Sequence, residues 1–345
     1  GREEMKKKKL CIQFEFIGRN GGTISDMIED VDQAVQWVMD HIESYGGDIS
    51  RIFLCGQSAG AHISTMLLLQ RVKEEYYKQN ENNSDIKKHW IPTDLAGYIS
   101  IAGPCNLVDL KDHIDKRGLY IDVLNHIMEN DLRKYSPFYA LCQFKPCFGT
   151  GIANRRYVLK DLKDMNLPTI DREECNEYDL QVTGKNGELT PLQPTSNNRD
   201  GLIPLDLCPV FLFHGQNDQS VPVSGTTTFA KYLEKLNVET YIKVYQNKTH
   251  TGPIIEDPIE GNDPLICDVL KVIYPNNNME RVVNEIQENI KGHMKIPSCI
   301  VAMARHQYNN KKNQNASRVS LIFFYFDNMF ERLLVYGPNN TQIKR

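Results

Sequence analysis

The sequence has no apolar run long enough to cross a bilayer. Its longest apolar cluster, residues 321–326, falls far short of the roughly 20 residues a spanning helix needs. No secretory signal and no internal repeat are visible. Excess charge is also lacking: 40 Lys and Arg stand against 44 Asp and Glu, a net −4, which argues against a nucleic-acid partner. The nine cysteines lack metal-ligand spacing. Cys142 and Cys147 have no second pair and no matching histidines, so no metal site is expected. Cys55 and Cys105 fall at strand ends and read as small apolar packing groups, in keeping with a reducing, cytosol-facing compartment.

What remains is an ordinary globular composition, 41% hydrophobic and 24% charged. The length fits one large α/β domain with insertions. Apolar residues at Met27, Ile28, Val31, Ala34, Val35, Val38 and Ile42 predict a helix over 26–44 with one buried face, ended by Gly46-Gly47. Residues 51–55 and 97–102 read as strands, and 61–78 as a helix. Strands alternating with helices imply a mostly parallel sheet with helices on both faces, its site at the C-terminal strand ends.

The strongest local signal is Gly56-Gln57-Ser58-Ala59-Gly60, set between the first of those strands and its helix. A serine flanked at two residues by glycines, on a strand–turn–helix, has the layout of a nucleophile elbow. The N–H of Ala59 would then face the substrate carbonyl from a helix N-terminus, as an oxyanion donor. The competing reading is a turn whose serine only caps the helix.

A nucleophilic serine needs a base and an acid that orients the base. The apolar run at 209–213 leads through His214-Gly215 to Asp218, which lies where a strand would deliver a carboxylate. A helix at 226–236 and a strand at 239–245 follow, and just past that strand stands His250. The order Ser58, Asp218, His250, each at a strand end, predicts nucleophile, orienting acid and general base. Asp218 also reads as a turn former and His250 as a surface loop residue. His214 is the rival base, though its position suits packing beneath the site. His62, on the elbow helix, reads as structural. No metal or organic cofactor is called for.

With these residues in view, the chain resembles the isoprenylcysteine methylesterase family of the α/β-hydrolases. The resemblance rests on Gly22 to Met27, Tyr45-Gly46-Gly47-Asp48, the elbow through Ile63, Asp112-His113, Arg117-Gly118-Leu119-Tyr120, Ile127-Met128-Glu129 and Tyr135-Ser136-Pro137. It resumes at 211–215, Asp218, Val221-Pro222, Lys248-Thr249-His250-Thr251 and Asp257-Pro258, and extends to a C-terminal helix near 296–305. It covers roughly 11–308 and implies hydrolysis of the methyl ester of C-terminal prenylated cysteine. It also implies residence at the cytosolic face of ER or Golgi membranes, anchored by segments upstream of Gly1. More distant relatives, general carboxylesterases and arylformamidases, share the triad but not the 117–129 segment.

Two departures stand out. The family supplies further oxyanion donors from a His-Gly-Gly-Gly loop on an earlier strand. No such motif precedes Ser58. The chain therefore reads as a fragment lacking N-terminal strands, or as a catalytically dead hydrolase fold used for binding; the complete triad favours the fragment. Residues 146–207 exceed what the family needs and read as a surface insertion.

The domain reading is accordingly a hydrolase domain over 1–308 with a helical cap near 105–144, and an extension at 309–345 that reads as disordered. In the cap, Leu107, Leu119, Tyr120, Leu124, Ile127 and Met128 read either as the wall of an apolar pocket above Ser58 or as the cap's own core. Gln57, beside the nucleophile, completes the expected substrate contacts. The Lys6–Lys9 run reads as a solvated end that beside a membrane would meet anionic headgroups. Asn82, Asn247, Asn315 and Asn339 begin glycosylation sequons. A glycan at Asn247, three residues before His250, would obstruct the site, which again favours the cytosolic side.

Overall fold

In the computed structural model, the described residues are 22–80, 89–116, 121–146, 203–260 and 263–273, with two further short strands. The strands Gln181–Thr183 and Leu189–Pro191 pair antiparallel within the expected insertion. The expected C-terminal helix and the extension lie outside the described residues, as do Leu119 and Tyr120.

Four strands form the main sheet: β1 (Phe53–Gln57), β2 (Gly97–Ile101), β3 (Val210–Gly215) and β4 (Thr240–Tyr245). They are all parallel, in the spatial order β1-β2-β3-β4. Parallel strands need crossover connections, and these are helical. Helices α1 (Ile24–His41) and α2 (Ala59–Asn80) precede the cap helices α3 (Leu107–Lys116) and α4 (Ile121–Ile127); α5 (Val223–Lys235) and α6 (Pro264–Ile273) follow. Helices α1, α2 and α5 pack on one face of the sheet, and α6 packs on the other.

The two-residue period of the strands explains this division. On the α1–α2–α5 face, Tyr98, Val210, Leu212 and Ile242 meet Leu67, Leu68, Phe229 and Leu233. On the opposite face, Ile99, Ile101, Phe211 and Phe213 meet Leu265, Val269 and Val272. With both faces covered, β2 and β3 are buried throughout, as strands inside a parallel sheet must be.

The elements fall near where the periodicity puts them; the first helix runs Ile24–His41 rather than 26–44, its end passing into a 3₁₀ turn at Ile42–Tyr45. Strand β1 begins two residues later than the apolar run and extends through Gly56-Gln57 to the elbow. Helix α6, which sequence reasoning does not place, is amphipathic in pattern, yet seven of its ten residues are buried, Asp268 among them. One part of the expected surface insertion is core instead. Ile203–Pro204 pairs parallel with Phe144–Lys145, and Ile203, Leu205 and Leu207 are buried. The Asn- and Pro-rich composition of the whole segment conceals this short apolar end.

After α3 and α4, a turn of helix at Pro137–Ala140 completes the cap region. The cap is tied to the elbow helix through a buried histidine. His62 on α2 donates from Nε2 to the carbonyl of Tyr135 at 2.6 Å. Burial lowers its pKa from 6.5 to about 4, with the hydrogen bond to Tyr135 opposing only in part. The native state therefore holds His62 neutral where the unfolded chain would protonate it. Its contribution is complete above pH 6.5 and is lost as pH falls toward 4. The span corresponds to about 3 kcal/mol. Melting temperatures measured from pH 4 to 7 should rise with pH, and His62→Gln should flatten that slope. An unchanged slope in the variant would mean that other groups carry it.

Candidate active site

The turn after β1 carries Ser58 at φ 51°, left-handed for a residue with a side chain. Such a conformation costs of the order of 1–3 kcal/mol and persists only where the surroundings enforce it. Two backbone bonds enforce it here. The Ser58 N–H donates to the Ile101 carbonyl at the end of β2, 2.8 Å away, and the His62 N–H donates to the Ser58 carbonyl at 3.1 Å. Gly56 allows the turn to close, since a Cβ there would lie 2.6 Å from backbone atoms of Gly60 and Ala61. The sharp reversal lifts Ser58 above the sheet and makes Ala59 the first residue of α2. Its N–H belongs to the first helical turn, where backbone donors point outward without intrahelical acceptors.

Asp218 follows β3 and is folded over by its own loop. Its Oδ1 accepts from the N–H groups of Ser220 at 2.7 Å and Val221 at 2.9 Å. Its Oδ2 lies 2.6 Å from His250 Nδ1 and 3.0 Å from His214 Nε2. Burial by itself would raise the pKa of this carboxyl. The hydrogen bonds from His214, His250 and Val221 outweigh it and hold Asp218 well below the usual range. The group is thus a fixed, buried anion.

His250 follows β4. With Nδ1–H committed to Asp218, its Nε2 is left as an acceptor, and Ser58 Oγ lies 3.0 Å from it. The loop holding His250 is fastened on both sides. The Asn217 N–H donates to the Lys248 carbonyl at 2.9 Å. Lys248 forms an ion pair with the buried Asp257, and Thr251 Oγ1 donates to Glu256 Oε1 at 3.2 Å. Gly215 makes the approach possible, because a Cβ there would come within 2.5 Å of the Lys248 and Thr249 carbonyls. A further link crosses from the cap: His113 Nε2 donates to the Gln219 carbonyl at 2.5 Å, steadying the Asp218 loop.

The structure thus brings Ser58, His250 and Asp218 into one hydrogen-bonded line at the C-terminal ends of β1, β4 and β3. Three residues 192 apart at the extremes meet because parallel strands deliver their ends to one edge. His214 does not reach Ser58; it lies beneath Asp218. Gln57 is half-buried at the tip of β1. Leu107 and Met128 are packed into the main core at 1% and 7% exposure, which favours the cap's own core over the wall of a pocket. Sequence reasoning puts His214 beneath the site but misses its bond to Asp218. Its one signal is a histidine four residues before the carboxylate at the same strand end. Among the described residues, no group of histidines, cysteines and carboxylates is arranged to hold a metal.

Comparison with known proteins fits this geometry. The BD-FAE family model matches residues 10–141, and that of the prolyl oligopeptidase family matches 157–258. An isoprenylcysteine alpha-carbonyl methylesterase of Arabidopsis thaliana is 31% identical over 260 residues, covering 74% of this chain and 47% of its own length. A probable isoprenylcysteine alpha-carbonyl methylesterase of Oryza sativa subsp. japonica is 32% identical over 271 residues, covering 77% and 49%. The chain spans about half the length of these curated relatives. A carboxylesterase structure from Lactobacillus plantarum WCFS1, 15% identical, aligns with a TM-score of 0.36 over 65% of this chain and 54% of that one, too loosely to add weight. The chain thus has the α/β-hydrolase fold, and among curated proteins it is similar to isoprenylcysteine alpha-carbonyl methylesterases.

Proposed function

We propose that the chain is a serine carboxyl-ester hydrolase and that its substrate is the methyl ester of a prenylated cysteine. The observation that carries the hydrolase reading is the line of contacts from Ser58 Oγ through His250 to Asp218, at 3.0 and 2.6 Å. Ser58 Oγ attacks the ester carbonyl as its proton passes to His250 Nε2. Asp218 keeps the imidazole in the accepting tautomer and stabilises the imidazolium that forms. The Ala59 N–H, at the positive end of α2, faces the oxyanion. His250 returns the proton to the departing methoxide. Water then attacks the acyl-enzyme with His250 as base, releasing the free carboxylate and restoring Ser58.

The relatives' names support the narrower substrate. The reading places the reaction at the cytosolic face of internal membranes. No helix among the described residues is long and apolar enough to cross one. In this reading the prenylated substrate, and basic segments such as Lys6–Lys9, make the contact with the membrane.

The test compares kcat/KM on a farnesylated cysteine methyl ester, a short acetyl ester and a formyl anilide. Each buried CH₂ contributes about 0.8 kcal/mol, so burying only four carbons of the prenyl chain favours the first substrate by roughly 200-fold. Equal values on the farnesyl and acetyl esters would leave a general carboxylesterase. A preference for the anilide would leave an arylformamidase.

A further inference from the structure

Asp218 is shared by two imidazoles, and only one of them takes part in the mechanism. His214, at the end of β3, is 1% exposed. Its Nε2 lies 3.0 Å from Asp218 Oδ2 and 3.0 Å from the Val221 carbonyl. Neither oxygen carries a proton to give, the carboxyl being ionised. Nε2 must therefore be the protonated nitrogen and the donor. Its Nδ1 lies 2.8 Å from Thr226 Oγ1, on the first turn of α5. With the proton on Nε2, Nδ1 accepts. The Thr226 hydroxyl has a second acceptor in the Gly103 carbonyl, but at 3.5 Å against 2.8 Å the imidazole is the nearer, and its donation selects the Nε2–H tautomer.

We propose that His214 is a positioning residue for the catalytic acid, set in its working tautomer by Thr226. The proposal rests on the hydrolase reading above. Its physical content is geometric. A carboxylate bound only through Oδ1 to the N–H groups of Ser220 and Val221 can still swing Oδ2. A donor on each side of Oδ2 confines it: His250 from the solvent side, His214 from below. Because His214 also bonds the Val221 carbonyl, and the Val221 N–H bonds Oδ1 at 2.9 Å, a single residue braces both ends of the Asp218 loop. With Oδ2 fixed, His250 Nε2 stays in line with Ser58. His214 touches neither substrate nor the reacting atoms, so its removal should act on kcat and leave KM alone.

The experiment uses the whole chain and three variants: His214→Leu, His214→Gln and Thr226→Val. Thermal melting establishes that each is folded. Turnover of p-nitrophenyl acetate and the rate of fluorophosphonate labelling at Ser58 are then measured. His214→Leu should lower both kcat and the labelling rate by about 10- to 100-fold, the size of a buried hydrogen bond to a charged group, with KM within about twofold. His214→Gln keeps an N–H donor on the same side and should recover most of the loss. Thr226→Val, which preserves shape and removes only the hydroxyl, should lower labelling several-fold.

Labelling of His214→Leu within twofold of wild type overturns the proposal. So does a His214→Gln variant that loses as much as His214→Leu, since packing alone would then explain the residue. If His214→Leu does not fold, an unaffected Thr226→Val overturns it in the same way. A wild-type chain that does not label at Ser58 removes the hydrolase reading, and this proposal with it. A wild type that labels while its variants are indifferent removes the proposal alone.

Discussion

Replacing Ser58 with alanine should reduce ester turnover by about four to six orders of magnitude, while the melting temperature stays within a degree or two. The size of the loss follows from how such groups act as a unit. Once the nucleophile is gone, His250 and Asp218 have nothing to activate, and what remains is oxyanion stabilisation and binding. The unchanged stability follows from the local structure. Ser58 is only half-buried, and its side-chain bond to His250 belongs to the function. The contacts that enforce the strained turn are made by the Ser58 backbone N–H and carbonyl, which alanine retains. Paired assays of hydrolysis and melting check both halves. Turnover within tenfold of wild type would mean that another group attacks the ester. A large drop in melting temperature would mean that the hydroxyl braces the elbow.

Asp218→Asn should lower kcat by about 10⁴-fold with little change in KM, and the reason lies in the direction of four hydrogen bonds. The two backbone N–H groups of Ser220 and Val221 both donate to Oδ1. They hold the amide oxygen of asparagine on their side and send its NH₂ toward His250 and His214. There the His214 Nε2–H loses its acceptor and keeps only its bond to the Val221 carbonyl. The NH₂ then donates to His250 Nδ1, which must give up its proton. The other tautomer follows, with Nε2 protonated and unable to accept the Ser58 proton 3.0 Å away. The opposite amide orientation sets the NH₂ against two fixed backbone donors, which cannot change tautomer as His250 can, and is disfavoured electrostatically. The backbone is therefore retained while the base is held in the wrong tautomer. Fluorophosphonate labelling of Ser58 in the variant should slow in parallel with turnover. Full-rate labelling would show that Asp218 orients nothing that matters to the attack.

Both substitutions act on residues visible in the sequence, for two different reasons. The elbow is readable because its requirements are local. A strand ending at Gln57, a glycine where a Cβ would collide with the next turn, and a helix starting at Ala59 are all contiguous. Asp218 and His250 are readable because each ends an apolar strand, and parallel strands can end only at one edge. Chain order and topology thus imply proximity without any knowledge of distance.

Packing choices are not readable in the same way. Leu107 and Met128 are apolar and lie in the cap, which suits a substrate wall and a core equally. Tertiary contacts put them in the core. Ile203, Leu205 and Leu207 sit in a stretch whose composition reads as surface, yet the pairing of Ile203 with Phe144 buries them. Helix α6 carries an amphipathic pattern, but over ten residues it is too short to stand out, and only folding sets it against β-sheet residues far upstream.

Local geometry and the alternation of strand and helix were enough to specify the class of the fold, the candidate nucleophile and the order of its partners. Three further features emerge only in the folded chain. His214 reaches Asp218 from beneath. His62 is buried and neutral against the Tyr135 carbonyl. The His250 loop is fastened to the turn after β3 through the Asn217 N–H, and to the buried Asp257 through Lys248. The division is one of range. Strand, turn and helix signals are set by neighbours in the chain, whereas burial and hydrogen-bond partners are set by residues that only folding brings together.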